Sequence, residues 1–192
     1  EKTKSKNNKI LRATVHKIKT EAKGCMVYTD KGNYSASKVF SSLFDPKSLI
    51  SQSKFPVLKQ HFIGWFIKAP KGSFDPDKIL FMDFNIPQSK QTRFLYVLPQ
   101  DDQHALVEYT LFSKELLKNN EYENGIKKYL TEIGITDYKI EEKEQGNIPM
   151  SCYPFNKSNT HSLLHIGTAG GWTKASTGFT FMNTVRQVSR LV

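Results

Sequence analysis

Two acidic residues in apolar, strand-like segments are the first candidates for chemistry. Glu108 lies in the run 105–112, where strand alternation would place it on one face with Leu106, Thr110 and Phe112. A carboxyl group on an apolar sheet face loses hydration, which raises its pKa and suits it to donate a proton near neutral pH. An ordinary strand glutamate that is salt-bridged or faces solvent would show the same pattern. Both interpretations are open, and we treat Glu108 as the candidate general acid.

Asp83 interrupts a second apolar run, 80–84, and would share a face with Phe81 and Asn85. Burying a lone carboxylate is costly unless it is paired or used. The alternative is an aspartate at a strand end that accepts backbone amides as the chain turns. If Asp83 and Glu108 point into one cavity, one can stay charged while the other is held protonated.

The segment 167–178 is rich in small residues and glycine and precedes a helix-like pattern. Such a loop brings backbone amides close to an electron-rich ligand edge, although an ordinary strand-to-helix turn has the same composition. His161 and His165 are four apart, but the segment between them fits a strand, in which they would not converge on a metal. We therefore predict no metal site.

These candidates must be positioned by a block of strands that carries one central helix. The helix is predicted over 120–133, with Gly134 ending it. A tight turn at 30–33 predicts a hairpin, and a second antiparallel hairpin joins the runs 93–98 and 104–112. Predicted strands cover 13–18, 24–29, 37–42, 57–69, 78–84, 93–98, 104–112, 137–144 and 163–167.

The segment 148–150 is predicted to break the last strand of the central block. Near the end of the chain, apolar residues recur at three-residue spacing and predict one face of a helix capped by Ser176 or Thr177. They are Phe179, Met182, Val185, Val188 and Leu191. The fold class is therefore α+β, with a sheet domain inserted into a second domain. Because the chain starts at Glu1 and ends within a helix-like pattern, we expect a fragment.

The chain is basic, with 28 Lys and Arg against 18 Asp and Glu, for a net charge of +10. A basic surface attracts nucleic acid or anionic lipid. The charges are scattered, however, and the only cluster (Lys2, Lys4, Lys6, Lys9 and Arg12) is typical of a solvated tail. The two cysteines form no disulfide or metal pattern, which favours the cytoplasm. We find neither a membrane-spanning stretch nor a signal peptide.

Six short segments, in order and at regular distances, resemble the lycopene beta-cyclase family. They are 60–65 (QHFIGW), 82–84 (MDF), 93–99 (RFLYVLP), 106–110 (LVEYT), 144–150 (EQGNIPM) and 177–179 (TGF). The resemblance extends from about residue 10 to the end of the chain.

This resemblance implies a flavoprotein with a Rossmann-like FAD-binding domain and a substrate domain built on an antiparallel sheet with a helix. Residues 1–44 and 160–192 would be incomplete pieces of the FAD-binding domain, and 45–159 the substrate domain. The family cyclises the linear ends of lycopene to β-rings by acid catalysis, using reduced FAD without net redox change. Glu108 matches its essential acid and Asp83 a second acidic position. The residues beside the flavin would be Gly170, Gly171, Thr177, Gly178 and Phe179.

Two departures from the family limit what this chain is expected to do alone. The G-x-G-x-x-G fingerprint that binds the FAD phosphates is absent from the sequence, and Phe179 stands where the family usually has tyrosine. We therefore expect weak FAD binding and no activity from these residues alone, and tight binding in a fluorescence titration would contradict this. The expected partners are a linear carotenoid and a membrane surface, with peripheral attachment and no nucleic acid.

Two alternatives compete with the cyclase. Another isoprenoid-modifying flavoenzyme, such as a reductase or epoxidase, would share the outer segments but not the Asp83 and Glu108 segments together. A basic module that binds RNA or acidic lipid without catalysis would explain the charge but not the acids in apolar runs, and exposed stacking aromatics beside a basic groove would favour it.

Overall fold

The computed structural model describes residues 8–191, which form two compact units. Unit 1 contains the described residues up to Asp45 together with Pro154–Trp172. Unit 2 contains Pro46–Tyr153 and the described residues from Thr173 onward. The boundaries predicted from the sequence were after residues 44 and 159. The structure differs in grouping residues 154–159 with unit 1 and residues 173–191 with unit 2. Lys2, Lys4 and Lys6 of the basic cluster lie outside the described residues.

The elements of the described residues alternate short strands with a few helices. The strands are β1 (Val15–Glu21), β2 (Gly24–Thr29), β3 (Gly32–Ala36), β4 (Val39–Ser41), β5 (Leu58–Lys68), β6 (Leu80–Asp83), β7 (Thr92–Pro99), β8 (His104–Ser113), β9 (Lys139–Met150) and β10 (Leu163–His165). The α-helices are α1 (Lys47–Ile50), α2 (Asn119–Glu132) and α3 (Phe181–Val188). Short 3-10 helices cover Phe155–Ser158 and Gly167–Gly170.

Unit 1 contains two small sheets. Strands β1, β2 and β3 form an antiparallel sheet, and β4 pairs in parallel with β10. The predicted hairpin at 30–33 is confirmed, because β2 and β3 are joined there and Gly32 adopts a φ of +123° that favours glycine. The strand predicted over 37–42 is shorter, and β3 precedes it.

Unit 2 is built on a five-stranded sheet in the order β6-β7-β8-β5-β9, with every neighbouring pair antiparallel. The α+β prediction is confirmed, and both the helix predicted over 120–133 and the hairpin of β7 and β8 are present. One face of the sheet packs against α2, where alternate residues such as Trp65 and Val107 meet Ile126 and Leu130 in a continuous apolar core.

Two local features fix how α2 lies on the sheet. At Gly125 a Cβ would come within 2.5 Å of the Tyr109 ring, so the glycine lets the helix backbone approach β8 closely. Gly134 ends the helix with a φ of +81°, and the amide of Ile135 donates to the carbonyl of Leu130 at 2.8 Å.

Two predicted boundaries are wrong for local reasons. Strand β9 continues through Ile148–Met150 instead of breaking there. Because β9 is an edge strand, Pro149 costs the sheet no ladder hydrogen bond on its outer side. The last helix begins at Phe181 after Thr180, not after Ser176 or Thr177, because the amide of Gly178 donates to the carbonyl of Lys174 at 2.9 Å and closes a turn.

Candidate active site

The sheet face of unit 2 that points away from α2 carries the acid selected from the sequence. The strand register aligns Tyr96 on β7, Glu108 on β8, Gly64 on β5 and Glu144 on β9 in one row across the sheet. Residues directly opposite in an antiparallel pair point to the same side. The row therefore brings a phenol and two carboxyl groups to one face.

Glu108 is half-buried in this row. The hydroxyl of Thr110, two residues along the same strand, donates to its Oε1 at 2.5 Å. Burial raises the pKa of Glu108, and the neighbouring Glu144 raises it further, while the Thr110 hydrogen bond acts in the opposite direction. The alternative of a salt-bridged glutamate does not match these surroundings. The arrangement can hold a proton on Glu108 closer to neutral pH than an exposed glutamate can.

Glu144 lies in one of the segments that carry the family resemblance, but its pattern did not mark it as a site residue. It lies on the edge strand among exposed charged residues, and nothing in its spacing separates it from them. Glu144 is recognised as a site residue by its pairing with Gly64, and this pairing is known only from the strand register. A Cβ at Gly64 would lie 2.9 Å from both Cγ and Oε1 of Glu144, so the glycine provides the space that this side chain occupies.

An apolar cavity of about 600 Å³ lies on the same side of the sheet. Its walls are mainly aromatic and come from the sheet and from the segment before and into α3. The lining residues are Gln60, Phe81, Met82, Phe94, Tyr96, Phe112, Ile148, Lys174, Thr177, Gly178, Phe179, Thr180 and Phe181. Tyr96 connects the two features, since it lines the cavity and is directly opposite Glu108. Burial and the nearby Glu108 raise the pKa of Tyr96.

The aromatic wall is organised around Phe94. Its ring centroid lies 5.3 Å from that of Tyr96, 5.6 Å from that of Phe112 and 5.4 Å from that of Phe84, in edge-to-face arrangements. Met82 adopts a φ of +53° at a register irregularity of β6, and its side chain lines the same cavity. Aromatic faces attract cations through their quadrupoles, so this wall suits an apolar substrate that becomes positively charged.

Asp83 lies on the opposite face of the sheet from Glu108. It is directly opposite Leu95, a core residue, and its Oδ2 accepts a hydrogen bond of 2.5 Å from the hydroxyl of Tyr129 on α2. Its Oδ1 accepts the amide of Asn85 at 2.9 Å. The structure therefore does not bring the two acids into one cavity. Burial and the hydrogen bond to Asp83 raise the pKa of Tyr129, so the Tyr129 hydroxyl stays the donor in this contact.

The loop residues selected from the sequence fall into the two units. Gly170 and Gly171 lie in unit 1, where the Gly170 amide donates to Ile166 and the Gly171 amide to Thr168. A Cβ at Gly170 would lie 2.2 Å from the carbonyl oxygen of His165, which explains the glycine by packing. Thr177, Gly178 and Phe179 lie in unit 2 and line the aromatic cavity.

Gln60 gives the cavity an unused acceptor. Its Oε1 is buried and, within the part of the chain that the structure describes, has no hydrogen-bond partner. Gly178, with a φ of +70°, approaches it so closely that a Cβ there would lie 1.8 Å from this oxygen. An unsatisfied carbonyl acceptor at the wall of a cavity can pair with an N–H donor on the edge of a planar heterocycle. The residues present therefore fit the ring of a flavin, but not its phosphates.

Two other expectations concern metals and membranes. Among residues 8–191 no group of His, Cys, Asp and Glu could hold a metal ion. The backbone amide of His165 donates to Oδ1 of Asn159 at 2.9 Å. Over the same residues no helix has the length and apolarity required to cross a bilayer.

Comparisons with known proteins agree with this architecture. A geranylgeranyl bacteriochlorophyll reductase-like protein from Thermoplasma acidophilum matches 91% of this chain and 45% of its own, with a TM-score of 0.62 and 12% identity. The halogenase PltM matches 93% of this chain and 40% of its own, with a TM-score of 0.59 and 12% identity. These likenesses concern the fold alone, and the chain spans less than half of either structure.

No curated protein matches the sequence significantly. The sequence profile of the family described as Lycopene cyclase protein, in contrast, matches residues 1–192. That match covers every segment on which the resemblance was recognised, including those of Glu108 and Glu144. The chain therefore belongs to the lycopene cyclase family.

Proposed function

We propose that this chain is part of a lycopene cyclase that converts the linear ends of lycopene, or of a related linear carotenoid, to β-rings by acid catalysis. The observation that carries the proposal is Glu108, a half-buried carboxyl group beside an aromatic cavity, whose burial raises its pKa. An acid that retains its proton near neutral pH is what protonation of an isolated double bond requires.

The proposed reaction is an isomerisation in which protons balance. Glu108 gives its proton to the terminal double bond, so that a C–H bond forms and a tertiary carbocation remains. The neighbouring double bond attacks the cation and closes the ring. The carboxylate that remains at Glu108 takes up one ring proton, which restores the acid, so the product has the formula of the substrate and no electrons are gained or lost. Phe94, Tyr96 and Phe112 would stabilise the cation through their ring faces.

A flavin is part of the proposal, as reduced FAD. Thr177, Gly178 and Phe179, with the buried Oε1 of Gln60, would hold the ring edge in unit 2. Gly170 and Gly171 stay predicted cofactor-binding residues. When bound, the reduced flavin supplies an electron-rich ring that favours positive charge in the substrate. The part played by the residues described above is to orient the polyene and exclude water, since the cavity walls are predominantly apolar.

Asp83 stays a predicted second catalytic acid. Its contacts with Tyr129 and Asn85 support a role in positioning β6, whose Phe81 and Met82 line the cavity. Substitution Asp83→Asn keeps the hydrogen-bonding shape and removes the charge. A loss of activity with unchanged substrate KM would favour direct catalysis, whereas a raised KM would favour positioning.

Peripheral membrane contact is proposed because a linear carotenoid dissolves in lipid. Helix α3 exposes Phe181, Met182, Val185 and Val188, and the chain carries a net charge of +10. An apolar helix face with surrounding positive charge can lie in a lipid interface. Flotation of the full-length protein with anionic vesicles tests this, and binding that does not respond to anionic lipid would contradict it. The cytoplasmic location stays a prediction.

The first experiment expresses the full-length protein in bacteria that accumulate lycopene. The wild type should form β-ring products, and Glu108→Gln should leave lycopene unchanged at an equal protein level. Glu142→Gln is the control, because Glu142 is an exposed glutamate of β9. If the wild type leaves lycopene intact, the cyclase proposal fails. If Glu108→Gln is fully active, Glu108 is not the acid.

A further inference from the structure

Two carboxyl groups meet across a position that has no side chain. Glu108 and Glu144 are both directly opposite Gly64, one on each neighbouring strand. In most sheets a side chain on the central strand would separate them. Here Gly64 leaves that space open, the Glu144 side chain occupies it, and no side chain of β5 stands between the two carboxyl groups.

Two ionised carboxylates cannot form a hydrogen bond, because both are acceptors. A contact of this kind requires a proton on one of them, and the like charge of the second then disfavours loss of that proton. We propose that Glu108 and Glu144 form an acid pair that holds a single proton across Gly64, with Glu108 as the donor to substrate and Glu144 as the positioning residue. Only the role of Glu108 as donor to the substrate rests on the proposed function.

The surroundings of the pair decide which member donates. Glu108 accepts a hydrogen bond from Thr110 and is directly opposite Tyr96, which lines the aromatic cavity. Glu144 lies on the edge strand, further from the cavity wall formed by β7 and β8. The register also places Tyr96 on β7, the exposed Glu142 on β9 and the opposed pair Lys68 and His104 on this face. Lys174 lines the cavity on the same side. No cation among the described ion pairs contacts either member.

The pair also explains the residue type at position 64. A Cβ there would lie 2.9 Å from Oε1 and Cγ of Glu144 and 2.9 Å from Cδ1 of Leu106. Gly64 has no left-handed backbone angle that would require glycine for conformational reasons. Its role is therefore to leave space, and alanine would force the Glu144 side chain away from Glu108.

The test compares wild type, Glu144→Gln and Glu142→Gln in the full-length protein. Cyclisation of lycopene in vesicles is measured across pH. Removing the charge at position 144 should lower the pH above which activity is lost. On the alkaline side, each pH unit of this displacement lowers the rate about tenfold. Activity at acid pH should remain within about threefold of wild type. Glu142→Gln should leave the profile unchanged.

An infrared titration of the same purified proteins reports the proton directly. Wild type should show a protonated carboxyl band that persists toward neutral pH and disappears in Glu108→Gln. In Glu144→Gln and Gly64→Ala the band should titrate at lower pH, with circular dichroism confirming the fold. An unchanged band and pH profile in Glu144→Gln would overturn the pair while leaving the cyclase proposal intact. A coupled band in a protein that does not cyclise lycopene would overturn the cyclase proposal and leave the pair.

Discussion

Burial of Glu108 carries a cost in stability as well as a chemical advantage. Its pKa in the folded protein is raised above the ordinary value of 4.5, so over the pH interval above 4.5 the folded state keeps a proton that the unfolded chain has released. Stability from this group is therefore lost as pH rises from 4.5 through the folded pKa. Active sites commonly combine function with such a local penalty.

We expect Glu108→Gln to raise the melting temperature at pH 7. The amide does not titrate, so folding no longer has to return a proton that the unfolded chain has released. A gain of about 1 kcal/mol corresponds to roughly 2–4 °C for a chain of this size. The measurement is thermal unfolding at pH 5 and pH 7, with Glu142→Gln as the exposed control. A lower melting temperature at both pH values would show that the carboxyl group stabilises the sheet.

His61 gives a pH dependence of the opposite sign. It is fully buried, and its two ring nitrogens contact Ser113 and Tyr122, each at 2.7 Å. Burial, helped by Lys59, lowers the pKa of His61 below 6.5. Since the unfolded chain then binds the proton more readily, the free energy of unfolding should fall as pH drops below about 6.5.

Urea denaturation between pH 8 and pH 5 tests this second dependence. His61→Gln should be less stable at pH 8 by about 1–3 kcal/mol, because it leaves buried hydroxyl groups without one partner. The variant should, however, lose less stability than wild type on acidification. An equal loss in the two proteins would show that His61 is not the source of the pH dependence.

At the level of elements, the contact of α2 with β8 depends on a residue that weakens an isolated helix. Glycine inside a helix costs about 1 kcal/mol relative to alanine, so Gly125→Ala would ordinarily stabilise. Here the added Cβ would lie 2.5 Å from the Tyr109 ring. We therefore expect a loss of about 1–3 kcal/mol in unfolding free energy. Lys127→Ala, at an exposed position of the same helix, is the control, and a gain in stability for Gly125→Ala would contradict the close packing.

The sequence predicted most of the elements of unit 2, and its errors have local causes. Period-two runs around Trp65 and Val107 gave the central strands, and Gly134 gave the end of α2. The continuation of β9 past Pro149 was missed, because proline is tolerated only on an edge and strand order was unknown. The start of α3 was placed too early, because Gly178 closes a turn that composition does not distinguish from a helix cap.

The candidate site was predicted only in part. Alternation correctly predicted the sheet face on which Glu108 lies, which it shares with Thr110. The relation of Glu108 to Asp83 depends on the register between β6, β7 and β8, which spacing along the chain does not encode. The same holds for Glu144, whose partner Gly64 is distant in sequence.

At the level of the whole molecule, the main apolar cluster of the described residues lies in unit 2. Every residue of the main core cluster lies between Ile63 and Ile140, on the sheet, on α2 or in the segments that connect them. We expect residues 46–153 expressed alone to fold and to unfold cooperatively in calorimetry, without the cavity wall formed by Lys174–Phe181. A broad, non-cooperative transition would show that the rest of the chain is required for the core.

The position of β5 has a consequence for biosynthesis. It is paired on both sides, with β8 and with β9, yet β9 begins about 70 residues after β5 ends. At a translation rate of roughly 5–20 residues per second, one edge of this apolar strand is left without its partner for on the order of 4–14 s. During that interval a nascent chain exposes a pairing edge that chaperones recognise. Slower translation of residues 69–138 should therefore increase aggregation more than slower translation after Met150.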